Sequence, residues 1–260
     1  MTRFQEPYYL VDFNASVCNF DIFINGMPAF THNVGGGISS HLPINHFMLE
    51  PGLQNIKINV LPLKGEDSLR PDGFITIKVF SYDASTENYD NTVEAFKFEK
   101  LDFSQNKMPG LNLTTDFKAD INYQITGWKI SEPFNTVAFN QYEIEKYFRF
   151  IHGLFKERDI EGLYKEMKDR FDEIDISMYL GIVDNKMELS KLFGELSGGK
   201  FILEDFPDST EAKFFANAKV CTLVGAEEKP IIHYTNKETN EEYALPLFIH
   251  KKGGKYNIIR

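Results

Sequence analysis

The chain has 260 residues, 42% of them hydrophobic and 14% aromatic, and carries 28 Lys and Arg against 38 Asp and Glu, a net charge of −10. This much apolar and aromatic material excludes a disordered chain. Both halves are acidic, with 10 basic against 16 acidic residues in 1–135 and 18 against 22 in 136–260, which argues against a cationic surface for nucleic acid or for an anionic membrane.

Length allows one or two domains, and pattern decides between them. The start Met1-Thr-Arg-Phe-Gln-Glu-Pro7 is not expected to act as a secretory leader, because Glu6 and Pro7 interrupt the apolar run a leader needs. No stretch reaches the roughly 18 uninterrupted apolar residues of a membrane helix. Cys18 and Cys221 lie in different halves, so no disulfide framework is expected. A reducing, cytoplasmic location is the expectation.

Residues 1–130 read as an all-β domain. Phe20, Ile22 and Ile24 alternate with polar neighbours, as do Ile56, Ile58 and Val60, and Ile75, Ile77 and Val79. The longest alternation runs Phe117, Ala119, Ile121, Tyr123, Ile125. Period two sends one set of side chains to a core and the other to water. Turns are expected at Asn25-Gly26, Pro51-Gly52, Pro71-Asp-Gly73 and Pro109-Gly110. Phe96 and Phe98 share one parity and Leu101 and Phe103 the other, which predicts a bulge within 93–103. About seven strands and no helix before residue 140 predict a sandwich, since one open sheet would leave an apolar face wet.

A boundary is expected within 129–139, followed by an α+β domain over 138–260. Ile144, Tyr147, Phe148, Ile151, Leu154 and Phe155 recur at helical spacing, with Asn140 and Glu143 as a capping box. Ile160, Leu163, Tyr164, Met167 and Phe171 predict a second helix capped by Asp159. Leu189, Leu192, Phe193 and Leu196 predict a third, capped by Asp184 and ended by Gly198-Gly199. Charges alternating through Glu157–Asp175 read as a solvated helix face. Strands are expected at about 200–206, 213–224, 229–236, 242–251 and 255–260, with a hairpin loop at Asn236–Asn240 and a turn at Gly253-Gly254.

Two stretches, Leu154-Phe-Lys-Glu-Arg-Asp-Ile-Glu-Gly-Leu-Tyr164 and Tyr243-Ala-Leu-Pro-Leu-Phe-Ile-His-Lys-Lys-Gly-Gly-Lys-Tyr-Asn-Ile258, give the second half its family likeness. In their order along the chain they resemble the nuclear-transport-factor-like cone superfamily, shared by scytalone dehydratases, ketosteroid isomerases and many non-enzymes. The resemblance covers roughly 140–260 and departs at 174–199, which is longer than the pattern. It implies three helices packed on a curved antiparallel sheet, and homodimerisation as an expectation. Phe23-Ile-Asn-Gly26 and Leu49-Glu-Pro-Gly-Leu-Gln-Asn-Ile-Lys-Ile-Asn-Val60 make the first half similar to accessory sandwich modules of the jelly-roll or immunoglobulin-like kind.

In cone-fold enzymes a Tyr, Asp or His inside an apolar pocket does acid–base work. The residues here that such a pocket would use are Tyr164, Tyr179, His233, Tyr234 and Phe248, and none matches a family catalytic motif. His32, His41 and His46 flank Gly35-Gly-Gly37 without metal-ligand spacing, and no helix follows the glycines to make a phosphate loop. No metal and no cofactor are therefore expected. A hairpin centred at 238–239 sets His233 opposite Ala244 and His250 opposite about Glu227, too far apart to cooperate. His250, before Lys251-Lys252, is expected to be wet, His233 to be a satisfied core residue, and Cys221 a small buried hydrophobe.

The leading reading is a non-catalytic protein that binds another protein or a small apolar ligand. The alternatives are a cone-domain lyase, isomerase or hydrolase acting on a small apolar substrate, and carbohydrate binding through the sandwich at Tyr82, Tyr89 or Trp128.

Overall fold

The computed structural model describes residues 3–86, 89–104, 107–136 and 140–260. The chain is α+β, with antiparallel sheets and four helices among the described residues. It divides into two compact units, Met1–Ile125 with Ile176–Tyr179, and Thr126–Asp175 with Leu180–Arg260. No helix among the described residues is long and apolar enough to cross a membrane.

Among its described residues the first unit holds eight strands, in keeping with about seven: β1 (Pro7–Ser16), β2 (Asn19–Ile24), β3 (Met27–His32), β4 (Gly37–Pro43), β5 (Gly52–Leu61), β6 (Phe74–Asp83), β7 (Val93–Asp102) and β8 (Leu111–Ala119). They form two four-stranded antiparallel sheets, in the orders β4-β1-β6-β7 and β3-β2-β5-β8. Period two works as expected. Val11, Phe13 and Ala15 on β1, Phe20, Ile22 and Ile24 on β2, Ile56, Ile58 and Val60 on β5, and Ile75, Ile77 and Val79 on β6 are all buried. Asn25 and Gly26 turn β2 into β3 with φ of 51° and 77°, both in the left-handed region that a two-residue hairpin of this hand demands. Opposite β6, the register slips twice along β7, so the expected irregularity is present as two bulges.

One alternation outruns its strand. Pairing of β8 with β5 ends at Gly52↔Ala119, yet Ile121, Tyr123 and Ile125 stay buried. Asp120 N donates to Tyr9 Oη at 2.8 Å, Tyr123 Oη to Asn45 O at 2.6 Å, and Ile125 N to Leu49 O at 2.9 Å. The chain therefore stays extended without a ladder, its backbone groups satisfied singly.

The second unit contains α1 (Gln141–Glu157), α2 (Ile160–Glu166), α3 (Lys168–Ser177, of which Ile176 and Ser177 belong to the first unit) and α4 (Asn185–Gly198). The expected single helix over 160–171 is two helices meeting at Met167 (φ −100°, ψ 5°). Their apolar stripe is unbroken, since Leu163, Met167 and Phe171 are all buried. Asp159 and Asp184 cap as expected, accepting from Gly162 N at 3.0 Å and Met187 N at 3.1 Å. The Asn140 side chain makes no cap bond, so the capping box does not form.

Seven short strands follow: β9 (Ile202–Leu203), β10 (Glu211–Phe215), β11 (Val220–Val224), β12 (Ile232–Asn236), β13 (Glu241–Leu245), β14 (Ile249–Lys252) and β15 (Lys255–Ile258). They make antiparallel sheets β10-β11-β14-β15 and β13-β12-β9. The stretches expected as single strands at 213–224 and 242–251 are each two strands. Residues 216–218 have φ of 49° to 60°, which closes the first pair. Phe148, Ile151, Phe155, Leu163, Phe193, Cys221, Leu223, Ile249 and Ile258 form one core between helices and strands.

The segment expected as a linker is tied to this unit through its first part. Trp128 and Ser131 are buried, Glu132 N donates to Lys251 O at 2.8 Å, and Phe134 N to Ala218 O at 2.7 Å. Residues 137–139 lie outside the described residues.

Candidate functional site

Of the five expected pocket residues, Tyr234 lies in the core of the second unit and Tyr164 packs against that core, while the other three have surroundings of their own. Tyr164 stacks on Phe171 at 6.1 Å, with Lys186 Nζ 5.0 Å from its ring centre. Phe248 meets Phe215 edge-on at 5.7 Å. Tyr179 belongs to the first unit, where its hydroxyl donates to Asn122 Oδ1 at 2.8 Å and its ring meets Tyr123. His233 and Tyr234 are consecutive on β12 and so face opposite sides of the sheet.

His233 lies opposite Ala244 as expected, 8% exposed, with Nε2 3.2 Å from Glu242 Oε2. His250 departs from expectation: it is 1% exposed, opposite Val220 and Asn257. Two lysines beside it suggested solvent, but β14 is an inner strand, buried on both faces at Ile249 and His250, and exposure begins only towards its end at Lys252. Its Nδ1 lies 2.7 Å from Ser131 Oγ. Burial, aided by Lys252 and Arg260, lowers its pKa against the pull of Asp169 and Glu173.

The Gly-flanking histidines are apart in role. His32 is buried with Nε2 3.0 Å from Gly35 O, His41 is exposed, and His46 packs on Phe47. No group of three metal-ligating side chains occurs among the described residues. Cys221 is fully buried and its thiol is pushed up to about 12 by burial, so it is no nucleophile at neutral pH. Trp128 is buried too, and Tyr82 is tilted by 45° against Tyr8 and by 62° against Tyr89, so the three rings are not coplanar.

A charged cluster that the sequence did not announce lies in the second unit. Arg260 is 5% exposed, and its guanidinium donates to Glu173 Oε2 at 2.9 Å and lies 5.3 Å from the Trp128 ring centre. Glu173 Oε1 accepts from Gly127 N at 2.6 Å. Arg170, on α3, has its Nε sealed from solvent with no hydrogen-bond partner. Burial first, and then the Arg260 charge, bring its pKa down to about 10, against a small opposing effect of Tyr243. The expected solvated face over 157–175 therefore holds only in part. Lys168 and Asp172 pair in the open at 2.5 Å, but Glu173 and the Arg170 Nε are inside. Arg170 sits at i+3 from Met167 and i+7 from Leu163, a cation on the apolar stripe, which was the available signal.

An accessible recess on this unit lies elsewhere. Glu143, Lys146, Tyr147, Phe150 and Tyr256 line a groove of about 280 Å³. Tyr147 Oη donates to Glu166 Oε2 at 2.8 Å, which fixes that ring, and Tyr256 stacks parallel on Phe134. Phe150 is 49% exposed at the rim.

No family model, no curated protein and no solved structure matches this chain.

Proposed function

We propose that this is a non-catalytic binding protein, built of an N-terminal β-sandwich and a C-terminal cone-like domain, that takes a small apolar ligand at the groove of Tyr147, Phe150 and Tyr256. Two four-stranded sheets with one apolar set each support the sandwich, because those faces need cover. Helices followed by antiparallel strands around one core support the cone-like reading.

The observation that carries the binding reading is the core of the second unit, which among the described residues is packed with large rings. An enzyme of the cone type needs an open apolar cavity with a poised acid or base. Here Phe148, Phe155, Phe193 and Tyr234 occupy the space between helices and strands. His233 is tied to Glu242, and Cys221 is a sealed thiol. The aromatic groove is open, and its rings offer faces and edges to an apolar guest.

Indole and phenol are suitable probes. Titrating either into labelled protein should move amide resonances of 143–150 and 254–257, and Phe150→Ala should weaken the effect severalfold while leaving the melting temperature nearly unchanged, as the side chain is half exposed. Shifts elsewhere, or none, would overturn the reading. So would a substrate turned over by the native chain and not by a stably folded His233→Asn variant, since that is the behaviour of a catalytic acid or base.

A further inference from the structure

We propose that two copies of this chain pair edge to edge through β4, so that their β4-β1-β6-β7 sheets join across a two-fold axis. The interface lies in the first unit and does not depend on the aromatic groove.

Among the described residues, β3, β4, β7 and β8 edge the two sheets of this unit, and all but β4 carry devices that keep edges from pairing. The register of β7 slips twice, and Glu94, Lys97 and Lys100 are exposed along it. Pro28 lies in β3, whose pairing with β2 also slips. Asp116 and Lys118 stand exposed on β8. In β4, Gly37-Ile-Ser-Ser-His-Leu-Pro43, no Lys, Arg, Asp or Glu occurs, and all 7 residues pair with β1 in unbroken register. Ser39, Ser40 and His41 are exposed.

The ladder fixes which backbone groups of β4 are turned to the edge. Ile44 N donates to Tyr9 O and Val17 N to Gly36 O, both at 3.0 Å, one step beyond either end of that register. Bonded and non-bonded pairs alternate along an antiparallel ladder. Ile38, Ser40 and Leu42 therefore bond to β1, while Gly37, Ser39, His41 and Pro43 turn their backbone groups outward.

A two-fold axis at Ser40 uses these groups. Ser39 of each copy meets the partner's His41, and each such pair exchanges both its hydrogen bonds. Gly37 N donates to the partner's Pro43 O, so the N–H that proline lacks falls at the end of the new ladder. Ile38, Ser40 and Leu42 lie opposite Ala15, Phe13 and Val11, on the side of the sheet that is buried. The axis sets half-buried Ile38 beside the partner's Leu42 in a non-hydrogen-bonded pair, the closer kind. A register shifted by one residue mismatches the outward groups, and one shifted by two sets Ile38 or Leu42 against serine. The strand is thus complementary to itself, as an isologous contact requires. One strand pair is a small interface, so micromolar rather than nanomolar dissociation is expected.

Sedimentation equilibrium of the full chain should show monomer and dimer exchanging. Ser40→Lys and Ser40→Glu each set like charges face to face on the axis and should each weaken the dimer by on the order of tenfold to a hundredfold, and mixing the two variants should restore it. Ser40→Cys should link two copies by a disulfide under mild oxidation, since Cys18 and Cys221 are buried, and Ser39→Cys, held away from its own counterpart, should lag far behind. A monomer at every concentration, a dimer that both charged variants keep, or cross-linking of Ser40→Cys no faster than that of Ser39→Cys overturns the proposal. Should the charged variants not fold, the two cysteine variants decide it.

Discussion

His250 shows how one strand position decides a side chain's chemistry. Inward on β14, it gives Nδ1 to a contact with Ser131 and is otherwise enclosed. Burial disfavours the imidazolium, so the folded pKa lies below the ordinary value near 6.5. A group with a depressed folded pKa contributes stability that is complete above its unfolded pKa and is lost as pH falls towards the folded one. Denaturant midpoints measured from pH 8 down to pH 5 should therefore decline below about 6.5. His250→Gln, which has no such proton to gain, should show a flatter profile over the same window. Equal slopes in the two proteins would mean that His250 titrates in the folded state as it does in the unfolded one.

Among the elements, α2 puts sequence and packing in the closest correspondence. Asp159 caps it by accepting from Gly162 N, and Leu163 in its first turn is fully buried. Leu163→Ala should cost about 2–5 kcal/mol by equilibrium unfolding, the range for a large core side chain. Exposed Lys165→Ala should stay within about 0.5 kcal/mol. Gly162→Ala adds a sharper contrast. Alanine is the better helix former by up to about 1 kcal/mol, yet its Cβ would stand 2.5 Å from Asp159 Oδ2 and 2.8 Å from Leu154 Cδ2. Loss rather than gain of stability is expected, because the cap must give way. The stripe of this region was legible, since residues three and four apart share a face whatever the tertiary structure. The break at Met167 was not, because no Gly or Pro marks it. Strand faces on β2, β5 and β6 were legible for the same periodic reason. Their number and the ladder's end at Ala119 depend on pairing partners distant in sequence, which periodicity does not carry. The candidate sites follow the same division. Tyr234 was readable as interior, whereas Arg260, Glu173 and Trp128 meet across separations of 87 residues and more, and only Arg170 left a local trace.

Across the whole molecule, the points of weakness follow backbone pairing and exposure rather than composition. Residues 128–134 contain Pro133 and little periodicity, and on composition they invite a protease. Their buried Trp128 and Ser131, and the bonds of Glu132 and Phe134 into the second unit, hold the backbone in place, while a protease needs an exposed, unpaired stretch of backbone. The stretch 180–182, between α3 and α4, is the opposite case. Leu180 and Gly181 are exposed, and Ile182 is 106% exposed, an aliphatic side chain standing wholly in water. Limited digestion with thermolysin, which cleaves before large apolar residues, should therefore nick the native chain next to Leu180 or Ile182 before it cuts within 128–134. The nicked chain should keep its melting transition, because the buried stripe of α2 and the core of α4 lie on either side of the cut and remain packed. Mass spectrometry of the first fragments decides the matter. Early cleavage within 128–134 would mean that the bonds to Lys251 and Ala218 open readily, and that this segment joins the units without being part of the second.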